Sequence, residues 1–488
     1  MPRCVVLFPG QGAYVPGALG ALAETESVVG EVLAEVDRAA AGLGRDPVSR
    51  LLLDTRAPTL GELVEGAPQD LHLAIFASEA ALFRLLTERL GVRPDVLLGH
   101  SFGELVALVA AGVHGLADGV ALVAARDEAF AACPPRAGGM VALEVSAVRA
   151  AHLVAALAES EVCVAADNGP RQSVVSGPKG ALGRVRKAAE AVGIGATELR
   201  VPYAFHSHGL AGVAHDFAAR AGRLVPRPAR HLLYSAILGR YVDGGPADHA
   251  ALASAHLVRP TRFADAVRVL HAEGADVFVE CGAKGVLTDL VTSIAPGVRA
   301  VAPLRRRVGG EEFAEAVRRA VGAEDVAGVR SGAGAENVAR LRSGPGARDV
   351  VAAWREPVVD GAAARRGPAA PGGAREWPAH TPRPAPETPP RPVDRTPHSP
   401  ALPTHPELVG VLRDLYAQAL GYPPDVLTPD ADLEADLGVD SIKQVELFSQ
   451  ALDRYGRALP PDGHRLTSHT TLDALAELLL TLPGTAAR

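Results

Sequence analysis

The chain has 488 residues, with 48% apolar, 22% charged and only 4% aromatic residues. That is the length of about three domains, with cores built from Ala, Val and Leu, and the composition excludes wholesale disorder. The charge sum of 49 basic against 56 acidic residues, a net of -7, lacks the basic excess that phosphate-backbone binding needs, so nucleic acid is not an expected partner.

Cys4–Phe8 and Val96–Leu98 are short apolar runs that end at Gly-containing turns and lead into helical patterns. Buried parallel strands read this way, which points to an α/β unit. The second run leads into Gly99-His100-Ser101-Phe102-Gly103, then Glu104-Leu105-Val106-Ala107-Leu108. Strand, G-x-S-x-G and helix in that order form a nucleophile elbow, although a small-residue turn packing a helix on a sheet gives the same string. Gly10-Gln11-Gly12 follows the first strand, but position six of a dinucleotide fingerprint is Val15, so a nucleotide loop is disfavoured. The same turn suits a donor aimed at an oxyanion.

The next block reads as strand 140–145, helix 147–157, strand 162–166, strand 173–176, helix 179–192 and strand 197–201. That order, βαββαβ, is ferredoxin-like and predicts a subdomain inserted at about 137–202. A serine nucleophile needs a base, and among 16 histidines His206 is favoured over His208 and His152 because it lies where the chain re-enters the larger unit. Four cysteines without a CxxC pair read as reduced thiols rather than a disulfide or metal framework, and no metal site is expected. With no targeting signal and no long uninterrupted apolar span, the expectation is a cytoplasmic protein without membrane association.

Fourteen of the 39 prolines fall between Pro357 and Pro406, a density that favours an extended spacer. Beyond it Leu408, Leu412, Leu415 and Ala419, then Ile442, Val445, Phe448 and Leu452, then Leu472, Leu475 and Leu479 repeat at helical spacing, which predicts a small helical bundle. Between Asp430 and Glu446 six carboxylates face Lys443 alone; by itself such a run is a solvated face.

Taken together, Phe8-Pro9-Gly10-Gln11-Gly12, Gly99-His100-Ser101-Phe102-Gly103-Glu104, Arg126, Asn168, Phe205-His206-Ser207 and Glu280-Cys281-Gly282 resemble the malonyl-CoA:acyl-carrier-protein transacylase family. Asp436-Leu437-Gly438-Val439-Asp440-Ser441-Ile442-Lys443 resembles an acyl carrier protein. The resemblance implies an α/β acyltransferase fold, α/β-hydrolase-like with the ferredoxin-like insert, over residues 1–321, a linker over 322–404, and a four-helix carrier over 405–483.

It also implies a ping-pong acyl transfer. Ser101, activated by His206, takes the acyl group from malonyl-CoA, with the backbone N–H groups of Gln11 and Phe102 as oxyanion donors and Arg126 gripping the substrate carboxylate. Tyr203 and Phe205 stand at positions that set the α-substituent, and the bulk of Phe205 favours malonyl. His256 stands where relatives carry Gln and is expected to orient the catalytic histidine through its backbone carbonyl. Ser441 is the expected attachment point of 4′-phosphopantetheine. The implied partners are a phosphopantetheinyl transferase and the ketosynthase and carrier proteins of a separate polyketide or fatty-acid-like synthase. The alternative is a carrier whose fused domain docks partners or acts as an editing thioester hydrolase.

Overall fold

The computed structural model describes residues 3–322, 403–420, 427–433, 437, 439, 441–457 and 470–482. The tether with Trp354 and Trp377, the fourth carrier helix and the acidic residues Glu434, Asp436 and Asp440 lie outside the described residues. None of the four cysteines forms a disulfide.

Eleven strands are described, β1 Arg3–Phe8, β2 Val96–Gly99, β3 Gly139–Leu143, β4 Cys163–Gly169, β5 Gln172–Gly177, β6 Ala196–Glu198, β7 Leu232–Ser235, β8 Arg240–Val242, β9 Thr261–Arg262, β10 Ala275–Glu280 and β11 Arg299–Val301. The larger sheet has the order β11-β10-β1-β2-β7-β8, parallel except for the β7–β8 hairpin. Cys4 to Phe8 are buried without a break, because a central parallel strand is covered by helices on both faces. Register matters most here. Phe8 pairs with Gly99 and Gly99 with Ser235, so the turns after β1 and β2 leave the carboxyl edge of the sheet side by side, where open α/β sheets place ligands.

The inserted block follows the expected order, with helices Ala147–Ala156 and Lys179–Ala191 packed on its strands. Its sheet, β6-β3-β5-β4-β9, contains one strand more than βαββαβ provides. That strand, β9, comes from the larger unit and pairs parallel to β4 through Ala166–Thr261 and Asp167–Arg262. The sheet of the insert is therefore finished by the main body.

In the carrier region three helices are described, His405–Leu420, Ser441–Tyr455 and Leu472–Thr481, and their buried residues form one apolar cluster. The first helix buries Leu408, Leu412 and Tyr416, and Ala419 is exposed. The expected stripe holds for Leu408 and Leu412 and in part for Leu415, which packs on the edge of the core, and is corrected at its end, where Tyr416 is buried in place of Ala419. Tyr416 fits the core because its hydroxyl donates to the carbonyl of Gln444, 3.3 Å away.

Among the described residues no helix is long and apolar enough to cross a membrane, and no group of three or more His, Cys, Asp or Glu side chains could hold a metal ion.

Candidate active site

Ser101 follows β2 in the left-handed region at φ 54°, a conformation that costs a non-glycine residue on the order of 1–3 kcal/mol. Neighbouring glycines make the turn feasible. A side chain on Gly103 would collide with the carbonyl of Phe8, and one on Gly99 with the backbone of Glu104. Helix Gly103–Ala110 starts immediately afterwards, so its positive end points back at the serine. The elbow is anchored underneath by Glu104, fully buried, whose two oxygens accept from the Ser235 hydroxyl (2.6 Å) and the Ile237 N–H (2.8 Å). Burial pushes this carboxyl up to about 8.

His206 is the other key residue with positive φ, at 58°. Its Nε2 lies 2.7 Å from Ser101 Oγ, and its Nδ1 lies 2.7 Å from the carbonyl oxygen of Arg259. A carbonyl only accepts, so Nδ1 carries the ring proton and Nε2 is left as the lone pair that faces the serine. Burial is the largest cause holding its pKa down at about 4, with the charge of Arg126 adding to it. The imidazole is therefore neutral at pH 7 and able to take a proton.

The expectation for His256 needs correction. The carbonyl that orients His206 belongs to Arg259, three residues further on. Arg259 precedes Pro260, and the residue before proline is pushed out of the helical region. The turn that begins as helix Pro246–Ala255 therefore ends at Arg259. The His256 ring is buried against Phe217, 5.8 Å between centroids, and its pKa is held well below the ordinary value by burial.

Gln11 and Phe102 lie on the two adjacent turns. A Cβ built on Gly10 would sit 3.3 Å from the His100 carbonyl oxygen and 3.9 Å from Phe102 N, which measures how closely the turns abut. Among the described residues neither the Gln11 nor the Phe102 N–H has a hydrogen-bond partner. Two unbonded donors on turns next to Ser101 suit a developing oxyanion.

Arg126 lies on helix Leu116–Ala132 and is only 3% exposed. Its guanidinium carbon stands 5.2, 5.3 and 5.6 Å from the ring centroids of Phe205, Phe130 and Phe102. Nε and Nη1 are buried without a hydrogen-bond partner, and burial holds its pKa down at about 10. A buried cation with unmet donors leaves a strong requirement for an anionic ligand. Tyr203 does not line the guanidinium; it stacks on Phe130 at 4.8 Å and 13° and meets Phe205 edge-on at 6.0 Å. Its position bears on the pocket by fixing the two rings that do.

Several contributors were not legible in the sequence. His100 Nε2 lies 2.8 Å from Asn168 Oδ1, and the Asn168 amide donates to Gln172 (2.9 Å), which fixes the ring next to the nucleophile. Asn168 carries the resemblance, but spacing gives no sign that His100 is its partner. Phe130 sits one helical turn after Arg126, the i+4 relation through which the two side chains meet, and that spacing was the available signal. Ser441 begins helix Ser441–Tyr455. The first-turn N–H groups of a helix lack intrahelical partners and suit a phosphodiester, so the position fits a phosphopantetheine attachment. The Ser441 side chain lies outside the described residues.

A parallel α/β sheet with a serine on its elbow, an imidazole in contact with it and a buried guanidinium nearby brings together the groups that acyl transfer through a serine requires. Comparison with known proteins gives the family. The chain belongs to the acyl transferase domain family, whose model matches residues 5–331; a second model, the phosphopantetheine attachment site, matches residues 410–479, and the cofactor of such domains is covalent 4′-phosphopantetheine. The chain is 38% identical over 290 residues to a spectinabilin polyketide synthase system protein of Streptomyces orinoci, covering 58% of this chain and 13% of that one. It is 35% identical over 303 residues to the mycoketide-CoA synthase of Mycobacterium tuberculosis, covering 61% and 7%. The chain thus spans a small fraction of these relatives. Among solved structures, the acyltransferase domain from the second module of the salinomycin polyketide synthase is 31% identical with a TM-score of 0.57, over 68% of this chain and 79% of that domain. An acyl-carrier-protein S-malonyltransferase from Burkholderia pseudomallei is 26% identical with a TM-score of 0.58, over 65% and 99%.

Proposed function

We propose that this protein moves a malonyl-type unit from coenzyme A through an ester on Ser101 to a carrier thiol, in polyketide or fatty-acid-like biosynthesis. The observation that carries the reading is a buried guanidinium with unmet donors, close enough to the Ser101–His206 pair for its charge to act on the imidazole. A malonyl group has a carbonyl for the serine and a carboxylate for Arg126; an acetyl group has only the first.

In the acylation half, His206 Nε2 takes the Ser101 proton as Oγ attacks the thioester carbonyl. The Gln11 and Phe102 N–H groups take the developing negative charge, and His206 returns the proton to the leaving thiolate. In the second half His206 takes the proton of the entering thiol as its sulfur attacks the ester carbonyl, the same donors hold the second tetrahedral oxyanion, and the bond from the acyl group to Ser101 Oγ breaks as His206 returns the proton to Oγ. Phe205 limits the space at the α-carbon and favours malonyl over substituted units. Ser441 would hold 4′-phosphopantetheine, which supplies a flexible arm ending in a thiol that carries the acyl group as a thioester.

The proposed organisation is an acyltransferase over 1–321 with its insert at about 137–202, a linker over 322–404 and a carrier over 405–483, acting in the cytoplasm. Its proposed partners are a phosphopantetheinyl transferase and a separate ketosynthase with its carriers. The test is intact-mass analysis of the full chain after phosphopantetheinylation and incubation with malonyl-CoA. We expect a malonyl gain on the carrier that is absent in Ser101→Ala. No gain in the wild type, or an unchanged gain in the variant, refutes the reading, and faster hydrolysis of acetyl-carrier than transfer of malonyl favours the editing alternative.

A further inference from the structure

We propose that His72 is a positioning residue for the oxyanion hole, one imidazole that fixes both donor residues at once; this rests on the acyl-transfer reading above. His72 lies buried in helix Pro68–Arg84, a helix otherwise almost entirely apolar on its inner faces. Its Nδ1 is 2.6 Å from Asp127 Oδ1. The other oxygen of Asp127 accepts from Arg45 Nη1 at 2.8 Å, and Arg45 Nη2 donates to the carbonyl of Ala124 at 3.2 Å. A carboxylate paired with a guanidinium only accepts, so Nδ1 carries the ring proton and Nε2 is a lone pair. That lone pair receives the side-chain N–H of Gln11. The ring also lies on Phe102, 5.6 Å between centroids and 27° between planes. A single side chain is thus bonded to one donor residue and stacked on the other.

The turn that carries Gln11 needs such an anchor. Gln11–Ala13 is one short 3-10 turn without a side-chain cap, closed by the Ala13 N–H to the Gly10 carbonyl. The rotation of the Gln11 peptide, and so the aim of its N–H, depends on where its side chain is held. The relay also ends beside the carboxylate clamp, since Asp127 follows Arg126 on the same helix. Gln11, His72 and Asp127 therefore fix the distance between the wall that takes the acyl oxygen and the wall that takes the malonyl carboxylate. The tautomer is central to this. If the ring proton moved to Nε2, two donors would face each other and the Gln11 amide would have to turn over.

The test uses the full chain and the variants His72→Ala, His72→Gln and Asp127→Asn, with Tm measured for each. Single-turnover acylation of Ser101 by malonyl-CoA is followed by quench and intact mass. His72→Ala is expected to slow the acylation step about 10- to 100-fold, less than deleting an oxyanion donor outright, with KM for malonyl-CoA within about threefold because Arg126 is untouched. His72→Gln restores most of the rate, since its amide oxygen can accept from Gln11. Asp127→Asn keeps the shape but can donate to Nδ1 and send the ring proton to Nε2, and a loss of about tenfold is expected. A fluorophosphonate, which uses the oxyanion donors and carries no carboxylate, should react with Ser101 more slowly in the same order of variants.

Unchanged acylation in His72→Ala or Asp127→Asn at wild-type Tm, a loss confined to KM, or failure of His72→Gln to recover the rate of a folded His72→Ala overturns the proposal. Should His72→Ala not fold, His72→Gln and Asp127→Asn carry the test through Asp127→Asn alone losing rate. If the wild type takes no malonyl at all, the acyl-transfer reading has failed, and the phosphonate series still decides on His72 by itself.

Discussion

Replacing Arg126 with methionine removes the guanidinium charge while keeping much of the side-chain volume, and its effects on stability and on transfer should separate. Burial lowers the Arg126 pKa from 12.5 to about 10; at about 1.4 kcal/mol per unit this is an order of 3 kcal/mol against the folded, ligand-free protein. Neutral pH lies below both values, so the cost is present in full there. Three rings at 5.2–5.6 Å offset it, at about 1–2 kcal/mol each when desolvated. The two contributions are similar in size, and Arg126→Met should shift stability by no more than about 2 kcal/mol in either direction. Transfer is another matter. Losing one partner of a buried, hydrogen-bonded charge pair costs about 2–5 kcal/mol, which is roughly 30-fold to several thousand-fold in kcat/KM. Acylation of Ser101 by malonyl-CoA and by acetyl-CoA, measured by rapid quench and intact mass, should show the preference inverted towards acetyl. A folded Arg126→Met protein that accepts malonyl within threefold of the wild-type rate would refute the carboxylate clamp.

The neutral His206 ring is the active form and its pKa is held at about 4, so kcat/KM for acylation should stay level down the acid side and fall with a midpoint near 4; a midpoint at 6.5 would show a solvated histidine acting instead. Glu104, raised to about 8 against an ordinary 4.5, keeps its proton in the folded state where the unfolded chain releases it, so this group makes stability fall as pH rises from about 5 to 8. Glu104→Gln should therefore match the wild-type Tm near pH 4, where the carboxyl is protonated in both states, and exceed it at pH 8.5, and parallel Tm–pH curves would contradict that. Phe205→Ser should open room at the α-carbon and raise methylmalonyl relative to malonyl acylation by about 10- to 200-fold, the worth of one methyl group in a pocket; an unchanged ratio in competition with both CoA esters would place the selectivity elsewhere.

What the sequence made legible was whatever is written locally. Cys4–Phe8 and Val96–Leu98 announce parallel strands because continuous burial requires continuous apolar residues, and the G-x-S-x-G string between strand and helix admits few other turns. The insert was legible for the same reason, with the strands at 162–166 and 173–176 found close to their observed bounds. The misses involve partners joined through space. Arg259, not His256, orients His206, and its carbonyl is a backbone group that no side-chain pattern advertises. His72 and Asp127 lie on two different helices and Arg45 in the loop between residues 42 and 49, and no spacing in the sequence links the three. Tyr416 took the place of Ala419 in the carrier core because a residue with a satisfied hydroxyl packs like an apolar one. The strand Thr261–Arg262 is two residues long, too short to carry any alternation.

That short strand has a consequence for exchanging parts between relatives. Thr261 Oγ1 reaches to 3.5 Å from His206 Nε2, and Arg259, two residues earlier, holds the other side of the ring, while β9 itself is hydrogen-bonded to the insert. The general base therefore hangs from the seam where the two lobes are stitched together. A graft that replaced residues 137–202 alone would bring in a foreign β4 to zip against a native β9, and the mismatch would be felt first at the imidazole, far from any residue chosen for its substrate preference. Donor segments should travel with their own 203–208 and 255–263 stretches, so that both strands of the seam and the base between them remain one unit.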